Sequence, residues 1–181
     1  MPRNVEVKAR IDSIEDVLPR VLGCTDGLPQ AIAQDDTFFA CASGRLKLRV
    51  FCDGRGELIA YRRPDTLGPK VSDYLVTVVD DPDALRATLA CALGIVGRVV
   101  KQRTLLLAGR TRVHLDRVEG LGDFLELEVV LRDDESADDG AAVAHAMLNR
   151  LGVDAAQLVT RAYLDLLRDA GSPCAAAPVA D

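Results

Sequence analysis

Long apolar runs are missing from this chain of 181 residues, and none approaches the roughly 20 residues that a membrane-spanning helix needs. A strand pattern begins directly at the N-terminus, so we expect no signal peptide and no membrane association. The five cysteines are an odd number without a Cys-x-x-Cys pair, which predicts neither a zinc site nor a disulfide framework. We therefore expect reduced thiols in a cytoplasmic protein.

An excess of positive charge is also missing, because the formal net charge is −6. This balance argues against a nucleic-acid binder held by global electrostatics. The cations are unevenly distributed among 18 arginines and four lysines, and three of the lysines lie in strand-like segments, namely Lys8, Lys47 and Lys101. The acidic clusters at 80–83 and 133–139 are interpreted as solvated helix N-termini, where the helix dipole favours negative charge.

Hydrophobic periodicity divides one predicted domain, residues 1–170, into strands and helices. Alternation with a period of two predicts eight strands: 3–11, 30–42, 45–51, 57–63, 72–79, 95–107, 111–118 and 123–131. Helical spacing, with Ser13 as an N-cap and Pro82 in a first turn, predicts helices at 13–23, 80–93, 136–151 and 156–167. The Ala- and Pro-rich tail 171–181 is predicted to be disordered. Hairpin-like connections indicate an α+β protein whose antiparallel sheet has helices outside it.

Two widely separated strands carry charged side chains on one face and apolar side chains on the other. Glu6, Lys8 and Arg10 share a face of the first strand, and Glu126 and Glu128 share a face of the last. These faces either meet in one shared space, which would be a metal–polyphosphate site, or face bulk water. Antiparallel sheets normally place charge outward, so these two strands alone leave both interpretations open.

The same parity recurs on the middle strands and favours a closed barrel with a charged interior and helices against its apolar outside. The cations in this register are Arg45, Lys47, Arg49, Lys101, Arg103 and Arg112, and His114 and Asp116 follow on the strand of Arg112. A triphosphate with divalent cations would relieve the repulsion among them. Arginine forks bind phosphate oxygens, and hard carboxylate oxygens suit Mg²⁺ or Mn²⁺.

The segment from Asn4 to Lys8 resembles the Glu-x-Glu-x-Lys signature of the CYTH superfamily, the triphosphate tunnel metalloenzymes. This group includes class IV adenylyl cyclases, thiamine triphosphatases and inorganic triphosphatases. The resemblance extends from residue 2 to about residue 168, in the segments 36–39, 44–49, 58–64, 100–103, 111–116, 120–128 and 162–167. It implies an eight-stranded antiparallel β-barrel, a tunnel lined with charge, with helices packed outside.

The resemblance also implies the roles of the charged residues. The metal ligands would be Glu6, Glu126 and Glu128, with Asp116 either as a further metal ligand or as a group that supports the ligands from behind. The phosphate-binding residues would be Lys8, Arg10, Lys47, Arg49, Arg63, Lys101, Arg103 and Arg112. Arg62 competes for the role of Arg63, because the strand parity is ambiguous there. The catalytic set would comprise Glu6, Lys8, Asp116 and His114, and His114 is either a general base or a hydrogen-bonded lining residue.

One position departs from the signature, because Asn4 stands where the first glutamate is expected and removes a negative charge from the metal site. The resemblance predicts a Mg²⁺- or Mn²⁺-dependent enzyme acting on a nucleoside, other organic or inorganic triphosphate. The alternatives are class IV adenylyl cyclase-like activity, a non-catalytic nucleotide- or polyphosphate-binding tunnel, and elimination chemistry on another phosphorylated substrate. The expected partner is a small-molecule triphosphate rather than a nucleic acid, bound to a monomer or homodimer.

Overall fold

Nine strands and four α-helices make up the computed structural model, which describes residues 3–171. The strands are β1 (Arg3–Arg10), β2 (Asp26–Phe39), β3 (Arg45–Phe51), β4 (Gly56–Arg62), β5 (Lys70–Val79), β6 (Ile95–Ala108), β7 (Thr111–Val118), β8 (Gly122–Val130) and β9 (Leu158–Val159). The helices are α1 (Ile14–Leu22), α2 (Pro82–Leu93), α3 (Ala137–Leu151) and α4 (Tyr163–Asp169). In the described part of the chain, no helix combines the length and apolar character that a bilayer crossing requires.

The first eight strands close into an antiparallel barrel because β1 pairs with both ends of the sheet. The strand order is β5-β4-β3-β2-β6-β7-β8-β1, and β1 returns to β5. Glu6 faces Glu128 of β8 on one edge and Lys70 of β5 on the other. The predicted eight-stranded barrel with helices outside is therefore confirmed.

The main apolar core lies between the outside of the barrel and helices α1 and α3. Val5, Val7, Leu125 and Leu127 turn outward and pack in one buried cluster with Leu148 of α3. Each such side chain stabilises the fold by about 1.5–3 kcal/mol when fully buried. Because successive strand residues point to opposite faces, this packing turns the charged residues inward.

Local chemistry explains how helices α1 and α2 begin and how helix α3 docks on the barrel. The Ser13 side chain accepts the hydrogen bond of the Asp16 backbone N–H at the start of α1, which confirms the predicted N-cap. Pro82 occupies the first turn of α2, also as predicted. Helix α3 approaches β1 so closely that a Cβ at Gly140 would lie 2.8 Å from Val5 Cγ2, so only glycine fits there without displacement.

A second cluster closes one end of the barrel with helix α4. Tyr163 and Leu164 of α4 pack with Phe124 at this end. An ion pair fastens the helix, because Arg45 Nη2 lies 2.6 Å from Asp165 Oδ2. The tunnel is therefore capped at the end where β1 finishes at Arg10.

Two predicted elements differ most from the structure. Strand β2 begins at Asp26 rather than at residue 30, because its pairing with β6 continues through an irregularity between Asp26 and Gln30 that breaks the alternation. The predicted helix 156–167 is confirmed only from Tyr163 onward, where α4 begins, and is wrong before it. Leu158 and Val159 instead form β9, which pairs with β1 at Lys8 and Ala9. This pairing is possible because β5 pairs with β1 only as far as Glu6. The predicted disordered tail, apart from residue 171, lies outside the described residues.

Candidate functional site

The inward side chains of all eight barrel strands line one cavity of about 430 Å³. This volume falls within the range of small-molecule sites. The charged side chains at its surface are Glu6, Lys8, Asp36, Lys47, Arg49, Glu57, Arg63, Lys101, Arg103, Arg112, Glu126 and Glu128, together with His114. The choice between a shared interior and bulk water is thereby resolved in favour of the interior.

A buried aspartate orients the two cations of β3. Asp36 of β2 accepts a hydrogen bond from Lys47 Nζ at 2.7 Å and two from Arg49, from Nε at 2.8 Å and Nη2 at 2.9 Å. Burial alone would raise the pKa of Asp36, but the charges of Arg49 and Lys47 outweigh it and hold that pKa well below its ordinary value. The pair of cations is therefore fixed before any ligand arrives.

A second buried aspartate does the same for the two cations of β6. Asp116 of β7 accepts two bonds from Arg103 at 2.6 Å and one from Lys101 at 3.1 Å. The hydroxyl of Tyr163 donates a fourth at 2.9 Å. Burial, and next the Arg103 charge, lower the pKa of Lys101 to about 7. The carboxylate of Asp116 is fully enclosed and saturated with donors.

Three glutamates of β1 and β8 are each paired with a basic side chain. Glu6 lies 3.2 Å from Arg63, Glu128 lies 3.3 Å from Arg112, and Glu126 lies 3.6 Å from Lys8. The pKa of Glu6 is raised, first by burial and then by the Glu126 charge. Burial acts in the same direction on Glu126, but Lys8 and other cations outweigh it and lower the pKa of that carboxyl.

Three buried side chains of the cavity keep a polar atom without a hydrogen-bond partner among the described residues: Asn4 Oδ1, Gln34 Oε1 and His114 Nδ1. His114 is 3% exposed, and its Nδ1 lies 3.9 Å from Glu128 Oε1. Burial, and next the Arg103 charge, lower the pKa of His114 to about 4, so its imidazole is neutral at pH 7. Buried polar atoms without a hydrogen-bond partner are rare in proteins, so these atoms are candidates to contact an ion, water or ligand.

The donor set fits a divalent cation. Ligand atoms of His114, Glu126 and Glu128 lie within 4.8 Å of one another. Glu6 faces Glu128 in the β1–β8 ladder and also lines the cavity. Carboxylate oxygens are the ligands that Mg²⁺ and Mn²⁺ take in proteins. Glu6, Glu126, Glu128 and His114 could therefore hold a metal ion.

Most of the predicted site residues meet in the cavity, but two do not line it. Arg10 is exposed at the end of β1, where its Nη1 donates to the Leu121 carbonyl oxygen at 2.6 Å and its guanidinium lies 4.7 Å from the Phe124 ring centroid. Asp116 lies behind Lys101 and Arg103 rather than at the cavity surface. The geometry thus differs from that of a phosphate contact for Arg10 and of a direct metal ligand for Asp116.

The structure shows which of the adjacent residues Arg62 and Arg63, at the end of β4, points into the cavity. Arg63 lines the cavity with its side chain 4% exposed, and its Nη1 also donates to the Thr160 carbonyl oxygen at 3.4 Å. Arg62 is exposed and faces away from the cavity.

Sequence reasoning missed Asp36 and Tyr163 as members of the site. Asp35 and Asp36 are adjacent, so they point to opposite faces of β2, and the sequence alone does not show which of them points inward. Only the pairing of Asp36 with Arg49 in the β2–β3 register identifies Asp36 as the buried one. Tyr163 lies 47 positions from its partner Asp116, and its ring centroid lies 3.5 Å from Lys8 Nζ. No local pattern signals such a contact.

Comparison with known proteins gives a family match over most of the chain. Residues 2–163 match the CYTH domain family. The adenylate cyclase CyaB of Aeromonas hydrophila is 32% identical over 101 residues, which are 55% of this chain. The matched region spans about half the length of that relative, 52%.

Solved structures share the fold over nearly the whole chain. The PH1012 protein of Pyrococcus horikoshii OT3 has a TM-score of 0.78 at 24% identity, covering 90% of this chain and 98% of its own. A candidate adenylyl cyclase of Hippeastrum, HpAC1, which is described as having a dominant triphosphatase activity, has a TM-score of 0.66 at 14% identity, covering 93% and 96%. At such identities these likenesses show the fold alone.

Proposed function

Since this chain belongs to the CYTH domain family, we propose that it is a metal-dependent phosphoryl-transfer enzyme acting on a triphosphate in the barrel cavity. One observation carries the proposal: a single cavity holds a cluster of glutamates beside paired lysines and arginines. Phosphoryl transfer needs in-line positioning and neutralisation of phosphate charge, and these residue types supply both.

The ion pairs of the cavity suit a site that takes up a metal and a polyanion together. Glu6, Glu126 and Glu128 now neutralise Arg63, Lys8 and Arg112. A divalent cation on the glutamates would compete with these pairings, and the freed cations would be available to phosphate oxygens. Metal and triphosphate should therefore bind more tightly together than separately.

The two aspartates hold the phosphate-binding cations in place. Asp36 fixes Lys47 and Arg49, and Asp116 fixes Lys101 and Arg103. We assign Asp116 this positioning role rather than that of a metal ligand. Arg49 and Arg103 would then offer their remaining N–H groups to phosphate oxygens, and the fixed geometry lowers the cost of ordering them at the moment of binding.

The bound metal, Mg²⁺ or Mn²⁺, would supply neutralisation of the negative charge on the phosphate groups. Glu6, Glu126 and Glu128 would hold it, while Lys8 and Arg63 bind the phosphate chain. The chain's own groups thus orient the triphosphate along the cavity. In hydrolysis, water attacks the terminal phosphorus, the P–O bond to the rest of the triphosphate breaks, the diphosphate leaves, and the attacked group is released as orthophosphate.

Cyclisation of a nucleoside triphosphate is the second candidate activity. The 32% identity to an adenylate cyclase supports it, although the match covers only 52% of that relative. In that reaction the ribose 3′-hydroxyl attacks the α-phosphorus and pyrophosphate leaves. The dominant triphosphatase activity described for HpAC1, a protein of the same fold, favours hydrolysis instead.

A product profile distinguishes these activities. The purified protein is incubated with ATP, other nucleoside triphosphates, thiamine triphosphate and tripolyphosphate, each with Mg²⁺ or Mn²⁺ and with EDTA. We expect metal-dependent release of orthophosphate. Pyrophosphate with a cyclic nucleotide would establish the cyclase, and calorimetric binding without any product would establish a non-catalytic tunnel.

A further inference from the structure

We propose that His114 is a direct metal ligand, so that the cavity prefers Mn²⁺ and other nitrogen-accepting divalent transition metals over Mg²⁺. The inference rests on the metal site of the proposed function, but it concerns which ion the site takes and can be tested without any substrate. Imidazole nitrogen binds first-row transition metals well, whereas Mg²⁺ strongly favours oxygen.

Strand register places the imidazole beside the carboxylates. His114 of β7 faces Glu126 of β8 directly, and Glu128 lies two residues further along the same face. Directly opposed residues have Cβ atoms about 4.5–5.5 Å apart, which is within the reach of two side chains that share one ion. The three side chains are fixed by the barrel ladder rather than by a loop.

The distance between the ring nitrogen and the carboxylate suits a shared ion rather than a hydrogen bond. His114 Nδ1 lies 3.9 Å from Glu128 Oε1, too far for a hydrogen bond. Two ligand atoms bound about 2.1 Å from one metal are roughly 3 Å apart when adjacent and roughly 4.2 Å apart when opposite. The observed separation falls between these limits.

No hydrogen bond to the described residues occupies Nδ1 of His114. Nδ1 is buried and has no hydrogen-bond partner within residues 3–171, although a buried imidazole nitrogen normally has one. On β1 the neutral Asn4 lines the same cavity, so an additional carboxylate is not available from that position. A neutral nitrogen ligand from His114 completes the donor set that Glu126 and Glu128 begin.

Electron paramagnetic resonance of Mn²⁺ added to the metal-free protein tests the assignment directly. A coordinated imidazole gives ¹⁴N modulation of the electron spin echo, and the loss of the free Mn²⁺ signal gives the dissociation constant. We expect ¹⁴N modulation in the wild type, its loss in His114→Gln, and at least about tenfold weaker Mn²⁺ binding in that variant, with Mg²⁺ affinity by competition nearly unchanged.

The matched control is His145→Gln, because His145 is the other histidine of the chain and lies exposed on α3. It should retain the modulation and the Mn²⁺ affinity. Mn²⁺ bound to the wild type without ¹⁴N modulation would overturn the assignment of His114 as a ligand while leaving the proposed enzyme intact. Because this spectrum is recorded on the wild type, it tests the assignment even if His114→Gln fails to fold. If the wild type does not bind Mn²⁺, this inference is overturned. Turnover of a triphosphate with Mg²⁺ would then test the proposed function separately.

Discussion

The hydroxyl of Tyr163 donates a hydrogen bond of 2.9 Å to Asp116 Oδ2 and so joins helix α4 to the floor of the cavity. Asp116 in turn receives Arg103 and Lys101. The helix that caps the barrel therefore helps to fix two of the proposed phosphate-binding cations. The same ring lies beneath Lys8 Nζ and packs edge-on against Phe124, with ring centroids 4.9 Å apart.

Tyr163→Phe should remove the hydrogen bond and keep both ring contacts. Asp116 retains its bonds from Arg103 and Lys101, so the expected loss is about 1 kcal/mol in the free energy of unfolding. Urea unfolding of the variant beside the wild type measures it. Tyr163→Ala, which also removes the ring, should lose more. Equal stability of the two variants would show that the ring contributes nothing.

Asp36→Asn should destabilise the protein at neutral pH and do so less at acid pH. Arg49 and Lys47 hold the folded-state pKa of Asp36 below its unfolded value of about 3.9. The stability from ionised Asp36 is therefore complete above pH 4 and is lost as the pH falls toward the folded-state pKa. Because the variant leaves buried cations unpaired, we expect a loss of about 3 kcal/mol at pH 7.

Urea unfolding at pH 7, 5, 4 and 3 tests this pH dependence. The quantity compared at each pH is the difference in the free energy of unfolding between the wild type and Asp36→Asn. The difference should be constant from pH 7 to pH 5 and should narrow below about pH 4. Asp35→Asn is the control, because Asp35 is more exposed and pairs with exposed Arg98. A pH-independent difference for Asp36→Asn would contradict the assigned pKa direction.

Arg63→Ala and Arg62→Ala should separate the two adjacent arginines. Arg63 lies 3.2 Å from Glu6 inside the cavity, whereas Arg62 is exposed. We expect Arg63→Ala to weaken tripolyphosphate binding in the presence of Mn²⁺ by about tenfold or more, since charge-assisted bonds contribute about 1.5–3 kcal/mol. Arg62→Ala should bind as the wild type does in the same calorimetric titration. Equal weakening by both would refute the assignment.

Asn4→Glu should tighten Mn²⁺ binding, because Asn4 lines the cavity and its buried Oδ1 has no hydrogen-bond partner within residues 3–171. A carboxylate there would add a negative charge beside the glutamate cluster. Calorimetry without substrate measures the change, and Asn4→Gln, which lengthens the side chain without charge, is the matched control. Unchanged or weaker Mn²⁺ affinity in Asn4→Glu would show that residue 4 does not serve the metal site.

The barrel could be predicted because its strands are long and alternate regularly. Val5, Val7, Leu125 and Leu127 identify the packed face of β1 and β8, and the cluster outside the barrel contains all four. Alternation identifies which residues share a face of a strand. It does not show which residues of that face lie beyond the end of the cavity. Arg10 keeps the parity of Lys8, yet β1 ends there and its guanidinium lies on Phe124 instead.

The missed parts of the site depend on contacts between distant segments. Asp36 is recognisable only once β2 and β3 are in register, and Tyr163 only once α4 caps the barrel. The error at 156–167 has the same origin, because Leu158 and Val159 extend the sheet only where β1 offers a free edge. Local pattern carries no information on such edges.

The rate of metal-dependent phosphate or pyrophosphate release from a triphosphate is the most direct test of the proposed site. It is measured with saturating Mn²⁺ for the wild type, Glu126→Gln and Glu128→Gln, whose side chains keep the shape of the original. Thermal unfolding confirms that each variant is folded. We predict turnover by the wild type that EDTA abolishes, and a loss of about a hundredfold or more in each variant. Full activity in both folded variants would contradict it.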